Sequence, residues 1–315
     1  MRRWNVEGPN SSTVPTLGVL YPGELGATLG RLLRMQGHHV VTTVQGRSAR
    51  TEQRARSAGL EILESTRAVV EAADILFAVV PPAAAAEVAA TVSSCPLGER
   101  KPRLYVDLNA IAPATTTQIG DRVTRAGFDF VDGAVHGLAA QLPDRGTLYL
   151  SGPSAPWVAA LFGRSVRVQV LGDRPGQASA FKMMISGMAK GVVALFLEMS
   201  LAARQAGVLD DLLACYREAY PGIMALVDRM LPTYPRHAAR RGDELGEVEQ
   251  TLASLGLQPC LVHGARRLTT AVGRLGWAEP SARGDADWPV AEVIETIFAH
   301  NPLRGAPGED QLERR

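Results

Sequence analysis

A chain of 315 residues is long for a single core, so two domains are expected. An apolar share of 46% and a charged share of 21% suit a soluble globular protein, and a net charge of +1 argues against nucleic acid or an anionic membrane as the main partner. Cys95, Cys215 and Cys260 are far apart and odd in number, which excludes a disulfide framework and a metal cluster and makes a reduced cytoplasm the expected location.

Residues 1–13 are polar and lack an apolar core segment, so a flexible start and no signal peptide are expected. Thr16–Leu20 reads as a buried strand, followed by a Pro-Gly turn and a helix over Glu24–Met35. His39–Val44 is a second strand, and helical runs cover Thr51–Ala58 and Arg67–Ala73. Asp74–Val80 is a third strand, stopped by Pro81-Pro82, and an Ala-rich helix follows. Arg103–Leu108 is a strand leading to a helix from Pro113 to Ala126. Short apolar runs alternating with helices predict βαβ units and a mostly parallel sheet. Phe128–Asp132, Gly146–Ser151 and Arg167–Leu171 add three strands.

After Gly172 the pattern turns wholly helical through Ala299. The expected fold is therefore an α/β Rossmann-type N-terminal domain over 14–172 plus an all-α C-terminal domain over 173–303, with a flexible tail over 304–315. The run from Pro175 to Ala203 is apolar nearly all round, which predicts a helix buried on all sides. It carries Lys190 and Glu198, so a core helix fits better than a membrane span. One small domain is not expected to cover such a helix alone, so a homodimer through the helical domain is expected.

The turn after the first strand is Tyr21-Pro22-Gly23-Glu24-Leu25-Gly26. It holds the second and third glycines of the dinucleotide fingerprint G-x-G-x-x-G, with Tyr21 in place of the first. Gly23 lets the backbone approach a pyrophosphate, and Gly26 lets helix and strand pack closely. An NAD site usually has an acid about 20 residues further on. That window holds Arg47, Ser48 and Arg50 and no acid. A guanidinium grips a 2′-phosphate bidentately, so NADP(H) is the expected cofactor.

Beyond that fingerprint, the chain resembles the β-hydroxyacid dehydrogenase and 6-phosphogluconate dehydrogenase superfamily over roughly residues 14–300. The match includes Asp107-Leu-Asn109-Ala110-Ile-Ala-Pro113 and Asp132-Gly-Ala-Val-His136-Gly137-Leu138. It continues with Gly146-Thr-Leu, Ser151-Gly152, and Gly176 through Lys182 to Ser186. Lys182–Gly191 and Arg229–Glu249 resemble one branch with a distinct helical C-terminal domain and no assigned function. The resemblance implies a cofactor lying against the first loop, Arg47, Val80, Pro81 and Asn109. It implies a substrate bound by Asn109, His136, Gly137, Lys182 and Ser186. The chain departs from the family at three places: His136 stands for a Ser, Ser186 for an Asn, and Ala110 for a Thr.

Hydride transfer to a carbonyl needs a proton donor within reach of the forming alkoxide. Lys182, flanked by Ala180-Phe181 and Met183-Met184-Ile185, is the candidate. Ser186 follows at i+4 on the same helical side. Lys190, a further i+4 step, reads as a salt-bridge or cap residue. His136, in a loop between Val135 and Gly137, is a second candidate acid. The sequence thus predicts an NADPH-dependent oxidoreductase acting on a carbonyl or hydroxyl of a small polar molecule. An imine reductase and a non-catalytic NADP-binding sensor are the alternatives.

Overall fold

The computed structural model describes residues 14–96, 103–275 and 287–300. The tails expected at 1–13 and 304–315 lie outside the described residues. By packing, the chain divides into two compact units, residues 1–183 and 184–315. The division lies beyond the change of sequence pattern at 172/173. The first turns of a long helix are fastened to the sheet unit by Asp132, which accepts from N–H groups at the helix start.

The first unit alternates strands and helices. In chain order these are β1 (Thr16–Leu20), α1 (Glu24–Met35), β2 (His39–Thr43), α2 (Ala49–Ser57), β3 (Glu61–Leu63), α3 (Thr66–Ala72), β4 (Ile75–Ala78) and α4 (Ala85–Ser94). They continue with β5 (Arg103–Asp107), α5 (Pro113–Arg125), β6 (Phe128–His136), α6 (Leu142–Arg145), β7 (Thr147–Ser151), α7 (Ala155–Leu161) and β8 (Arg167–Gly172). The eight strands form one sheet in the order β3-β2-β1-β4-β5-β6-β7-β8. β1 to β6 are parallel, and β7 runs antiparallel to β6. The order reverses at β1/β4, the switch point where doubly wound sheets bind ligands.

Helices on both faces bury the central parallel strands β1, β4 and β5. Alternate residues feed separate cores. Leu17, Val19, Phe77 and Val106 meet Leu29, Leu33 and Phe162 on one face. Leu20, Leu76 and Tyr105 meet Val69, Val88 and Ile119 on the other. This alternation follows from the two-residue period of a strand. Gly18 permits the tight fit of α3: a Cβ there would lie 2.7 Å from Leu76 Cδ2 and 2.9 Å from Val69 Cγ1.

Most expected elements end within two residues of those observed. Two differ. β3 was not expected; it is a three-residue edge strand, too short to show an apolar alternation, and pairs only with β2. β6 runs on to His136 instead of ending at Asp132, so His136 closes a strand rather than sitting in a loop. Gly133, the first residue past the expected end, allows close packing. A Cβ there would meet Leu108 Cδ2 at 2.4 Å and Leu150 Cδ2 at 2.9 Å. Antiparallel pairing to β7, from Asp132↔Ser151 to His136↔Thr147, carries the strand through.

α8 (Gln177–Ala206) begins in the first unit and continues into the second. The second unit adds α9 (Leu209–Ala219), α10 (Pro221–Met230), α11 (Tyr234–Ser254), α12 (Cys260–Gly273) and α13 (Val290–His300). Val193, Leu197, Val227, Tyr234, Leu245, Leu268 and Ile294 share its core. Lys190, 8% exposed, donates to Glu244 Oε2 at 2.8 Å and to Ser186 Oγ at 2.5 Å. Burial pushes its ammonium below the ordinary lysine range, and the Glu244 carboxylate opposes that fall. α8 is not buried on all sides as its composition suggests: Met184, Met188, Leu195 and Met199 are exposed.

Candidate active site

The C-terminal ends of the parallel strands collect the candidate residues. Tyr21 follows β1, Arg47 follows β2, Val80 and Pro81 follow β4, Asn109 follows β5, and His136 ends β6.

The β1–α1 turn is closed by Gly23 N–H donating to Tyr21 O at 2.8 Å. Gly23 is the N-cap of α1 and supplies no side-chain cap. A Cβ on Gly23 would point into open space. The turn therefore offers an uncrowded helix N-terminus, which suits an anion. Gly26 is required for a different reason. A Cβ there would lie 2.3 Å from Tyr21 O, so only glycine lets the helix approach the turn this closely. Pro22 is buried, Leu25 packs against the core, and Glu24 is exposed in the first turn of α1.

Tyr21 occupies the place of the missing first glycine. Its hydroxyl hydrogen-bonds Thr66 Oγ1 at 2.8 Å. The Arg47 guanidinium lies over its ring, with Cζ 3.9 Å from the centroid. Arg47 follows Gly46, whose φ of +69° turns the chain out of β2. Ser48 is the N-cap of α2 and accepts from Thr51 N–H at 3.4 Å. Arg50 stands exposed in the first turn of that helix.

The tips of β4 and β5 are tied together. Asn109 Oδ1 accepts from Val80 N–H at 2.7 Å, and Asp107 Oδ1 accepts from Asn109 N–H at 2.9 Å. Asn109 Nδ2 and Asp107 Oδ2 are buried without a hydrogen-bond partner. Burial raises the Asp107 carboxyl to about 7; the Asn109 N–H opposes the rise and Asp132, paired with it on β6, adds to it. An unsatisfied carboxamide N–H at a strand tip beside an open glycine turn fits a nicotinamide cofactor, whose amide accepts hydrogen bonds.

The remaining part is built on Asp132. Its Oδ2 accepts from Ser151 Oγ at 2.9 Å and from the N–H groups of Gly176, Ala178 and Ser179 at 2.8, 3.0 and 3.1 Å. Its Oδ1 accepts from Ser179 Oγ at 2.6 Å. Since the Ser179 proton goes to Asp132, Thr116 Oγ1 donates to Ser179 Oγ at 2.9 Å. A buried carboxylate from β6 thus caps the start of α8, satisfying donors that a helix leaves open and meeting its positive end. Gly176 takes φ of +97° to aim its N–H at the same oxygen.

One turn beyond Ser179, half-buried Lys182 donates from Nζ to Val135 O at 2.8 Å. The capped helix therefore delivers this ammonium to the backbone adjoining His136 and Gly137. His136 is exposed, and Gly137 turns the chain with φ of +114°. Ser186 belongs to the helical unit, where it is buried and accepts from Lys190.

Sequence reasoning named the residues at the strand tips but gave no role to Asp132, Ser151, Ser179 or Thr116. The signal was available: an acid in the middle of a buried strand must have partners. Hydroxyl-bearing residues before the apolar helix were the candidates for them.

Comparison with known proteins follows the same division. Residues 16–160 match the NAD binding domain of 6-phosphogluconate dehydrogenase, and residues 203–272 match a domain of unknown function, DUF1932. An uncharacterised 28.5 kDa protein of Methanothermus fervidus is 28% identical over 248 residues, 78% of this chain and 94% of that protein. A conserved protein of unknown function, whose structure is described as similar to 3-hydroxyacid dehydrogenases, is 29% identical with a TM-score of 0.66, covering 83% of this chain and 99% of its own. The Mycobacterium tuberculosis 3-hydroxyisobutyrate dehydrogenase shares the fold, at 17% identity and a TM-score of 0.68, over 90% of this chain and 99% of its own. The chain thus carries the NAD binding domain of 6-phosphogluconate dehydrogenase in its sheet unit and DUF1932 in its helical unit, an arrangement that fits the 6-phosphogluconate dehydrogenase-like branch with a distinct helical C-terminal domain.

Proposed function

We propose that the protein is an NADPH-dependent oxidoreductase acting on the carbonyl, or the matching hydroxyl, of a small polar substrate. The observation that carries this reading is the Lys182 ammonium, held beside the end of β6 by a helix capped from the same strand. Bound NADPH supplies the hydride. Lys182 gives the proton to the forming alkoxide, since a lysine, unlike an arginine, exchanges its proton at accessible pH. Val135 O orients the ammonium, and Asn109, His136 and Gly137 offer the substrate polar groups. Ser186, with its hydroxyl bonded to Lys190, is the remaining substrate-side candidate.

The cofactor is held by Gly23 and the first turn of α1 at the pyrophosphate, by Val80, Pro81 and Asn109 toward the nicotinamide, and by Arg47, Ser48 and Arg50 at the 2′-phosphate. A charge-assisted bidentate contact contributes about 1.5–3 kcal/mol. Arg47→Asp therefore weakens NADPH binding roughly tenfold or more while leaving NADH binding within a few-fold. Calorimetric titration reads both affinities. Tighter binding of NADH than NADPH by the unmodified protein overturns the cofactor assignment.

The assembly is a homodimer through the helical domain. Met184, Met188, Leu195 and Met199 are spaced along α8 so that they share a face, and Met188 is 72% exposed. A Cβ on Gly191, in the same stripe, would meet nothing within 4 Å. α8 is long and apolar enough to cross a membrane, but its buried Lys190–Glu244 pair favours a protein partner, here a second copy. Light scattering is expected to report a dimer at micromolar concentration and Met188→Asp to shift it toward monomer. A monomeric native protein contradicts this.

A further inference from the structure

The chain departs from the glycine fingerprint at Tyr21, and the turn tolerates the departure. Its backbone still closes on Gly23, and Gly26 still packs against its carbonyl. The side chain does something a glycine cannot. It reaches from the end of β1 to α3, where its hydroxyl bonds buried Thr66, and it carries the Arg47 guanidinium over its ring at 3.9 Å. The ring is therefore fixed at both ends, by the backbone turn and by Thr66. The arginine resting on it comes from an exposed loop next to the Gly46 turn.

A free arginine on a loop samples many rotamers and loses that freedom when it grips an anion. A guanidinium already resting on an aromatic face has given up much of that freedom beforehand, and the face attracts its charge. Prior ordering raises affinity by lowering the cost of binding. The gain falls only on a ligand that uses the guanidinium. A ribose 2′-phosphate does, with charge-assisted bonds; a ribose 2′-hydroxyl gains little.

We infer that Tyr21 is a specificity-determining residue, a shelf that presets Arg47 for the 2′-phosphate of NADPH. Tyr21 thereby links the pyrophosphate turn to the 2′-phosphate loop, with Thr66 as the residue that positions the shelf. The inference rests on the reading of Arg47 as the 2′-phosphate residue.

The test is calorimetric titration of NADP⁺ and NAD⁺ into the native protein, Tyr21→Leu, Tyr21→Phe and Thr66→Val, with Tyr21→Leu repeated in an Arg47→Leu background. Tyr21→Leu is expected to lower the NADP⁺-to-NAD⁺ affinity ratio about fivefold to thirtyfold. Tyr21→Phe and Thr66→Val keep the ring but release it from α3, and are expected to lower the ratio about twofold to threefold. Without Arg47 the shelf has nothing to hold, so Tyr21→Leu should leave the ratio unchanged there. An unchanged ratio in Tyr21→Leu, or an equal fall with and without Arg47, overturns the inference. If Tyr21→Leu does not fold, as melting curves would reveal, unchanged ratios in both Tyr21→Phe and Thr66→Val overturn it instead. Native preference for NAD⁺ brings down the Arg47 reading and the inference together. A native preference for NADP⁺ that is undiminished in Tyr21→Leu leaves Arg47 standing and removes Tyr21 alone.

Discussion

Lys182→Ala is expected to leave NADPH affinity near native and to cut turnover about 10²–10⁴-fold. The residue lies one turn along α8 from the cap and donates to the Val135 carbonyl of β6, on the side assigned to the substrate in the proposed function. On the proposed function its removal takes away a proton donor and not a cofactor ligand. Lys182→Arg is not expected to restore turnover, because a guanidinium keeps its proton near neutral pH and has a different reach. The comparison residue is His136, at the exposed end of the strand whose Val135 carbonyl holds Lys182. If Lys182→Ala turns over at close to the native rate while His136→Ala does not, the proton comes from His136.

Asp132→Ala is expected to destabilise the protein by about 3–5 kcal/mol, because it strands buried donors that one carboxylate satisfies. Those donors are the Ser151 and Ser179 hydroxyls and the N–H groups of Gly176, Ala178 and Ser179. In a chain of this size that corresponds to a fall in melting temperature on the order of 10 °C. Asp132→Asn keeps an acceptor but sets an NH₂ group against a ring of donors, so an intermediate loss is expected. Because the same residue starts α8, any folded Asp132 variant should also lose turnover, through a Lys182 that is no longer held. A melting temperature within about 2 °C of native in Asp132→Ala would show that the cap is not needed for the fold.

The sheet unit was largely legible because its central strands are buried on both faces and read as continuous apolar runs between turn residues. Thr16–Leu20 and Arg103–Asp107 are of this kind. β3 escaped because three edge residues carry no period, and the end of β6 escaped because Gly133 is a packing contact that the strand runs through to reach His136. At the site, glycine spacing and the run of arginines after β2 are local signals and were read as such. The Asp132 network joins residues up to 63 positions apart in the chain. Its partners are common hydroxyl residues and backbone N–H groups, which carry no spacing rule. The stacking of Arg47 on Tyr21 escaped for the same reason. The sequence shows a missing glycine and a nearby arginine, and only the fold brings the ring under the guanidinium.

On the proposed function this site moves hydride between NADP(H) and a small carbonyl compound. A hydride-transfer assay tests it most directly, run with NADPH and NADH against ketones, keto acids and cyclic imines, and with NADP⁺ against hydroxy acids. The expected result is NADPH-preferring turnover on a carbonyl substrate that falls with Lys182→Ala. Turnover confined to cyclic imines, or tight NADPH binding with no hydride transferred to any of these compounds, would contradict it.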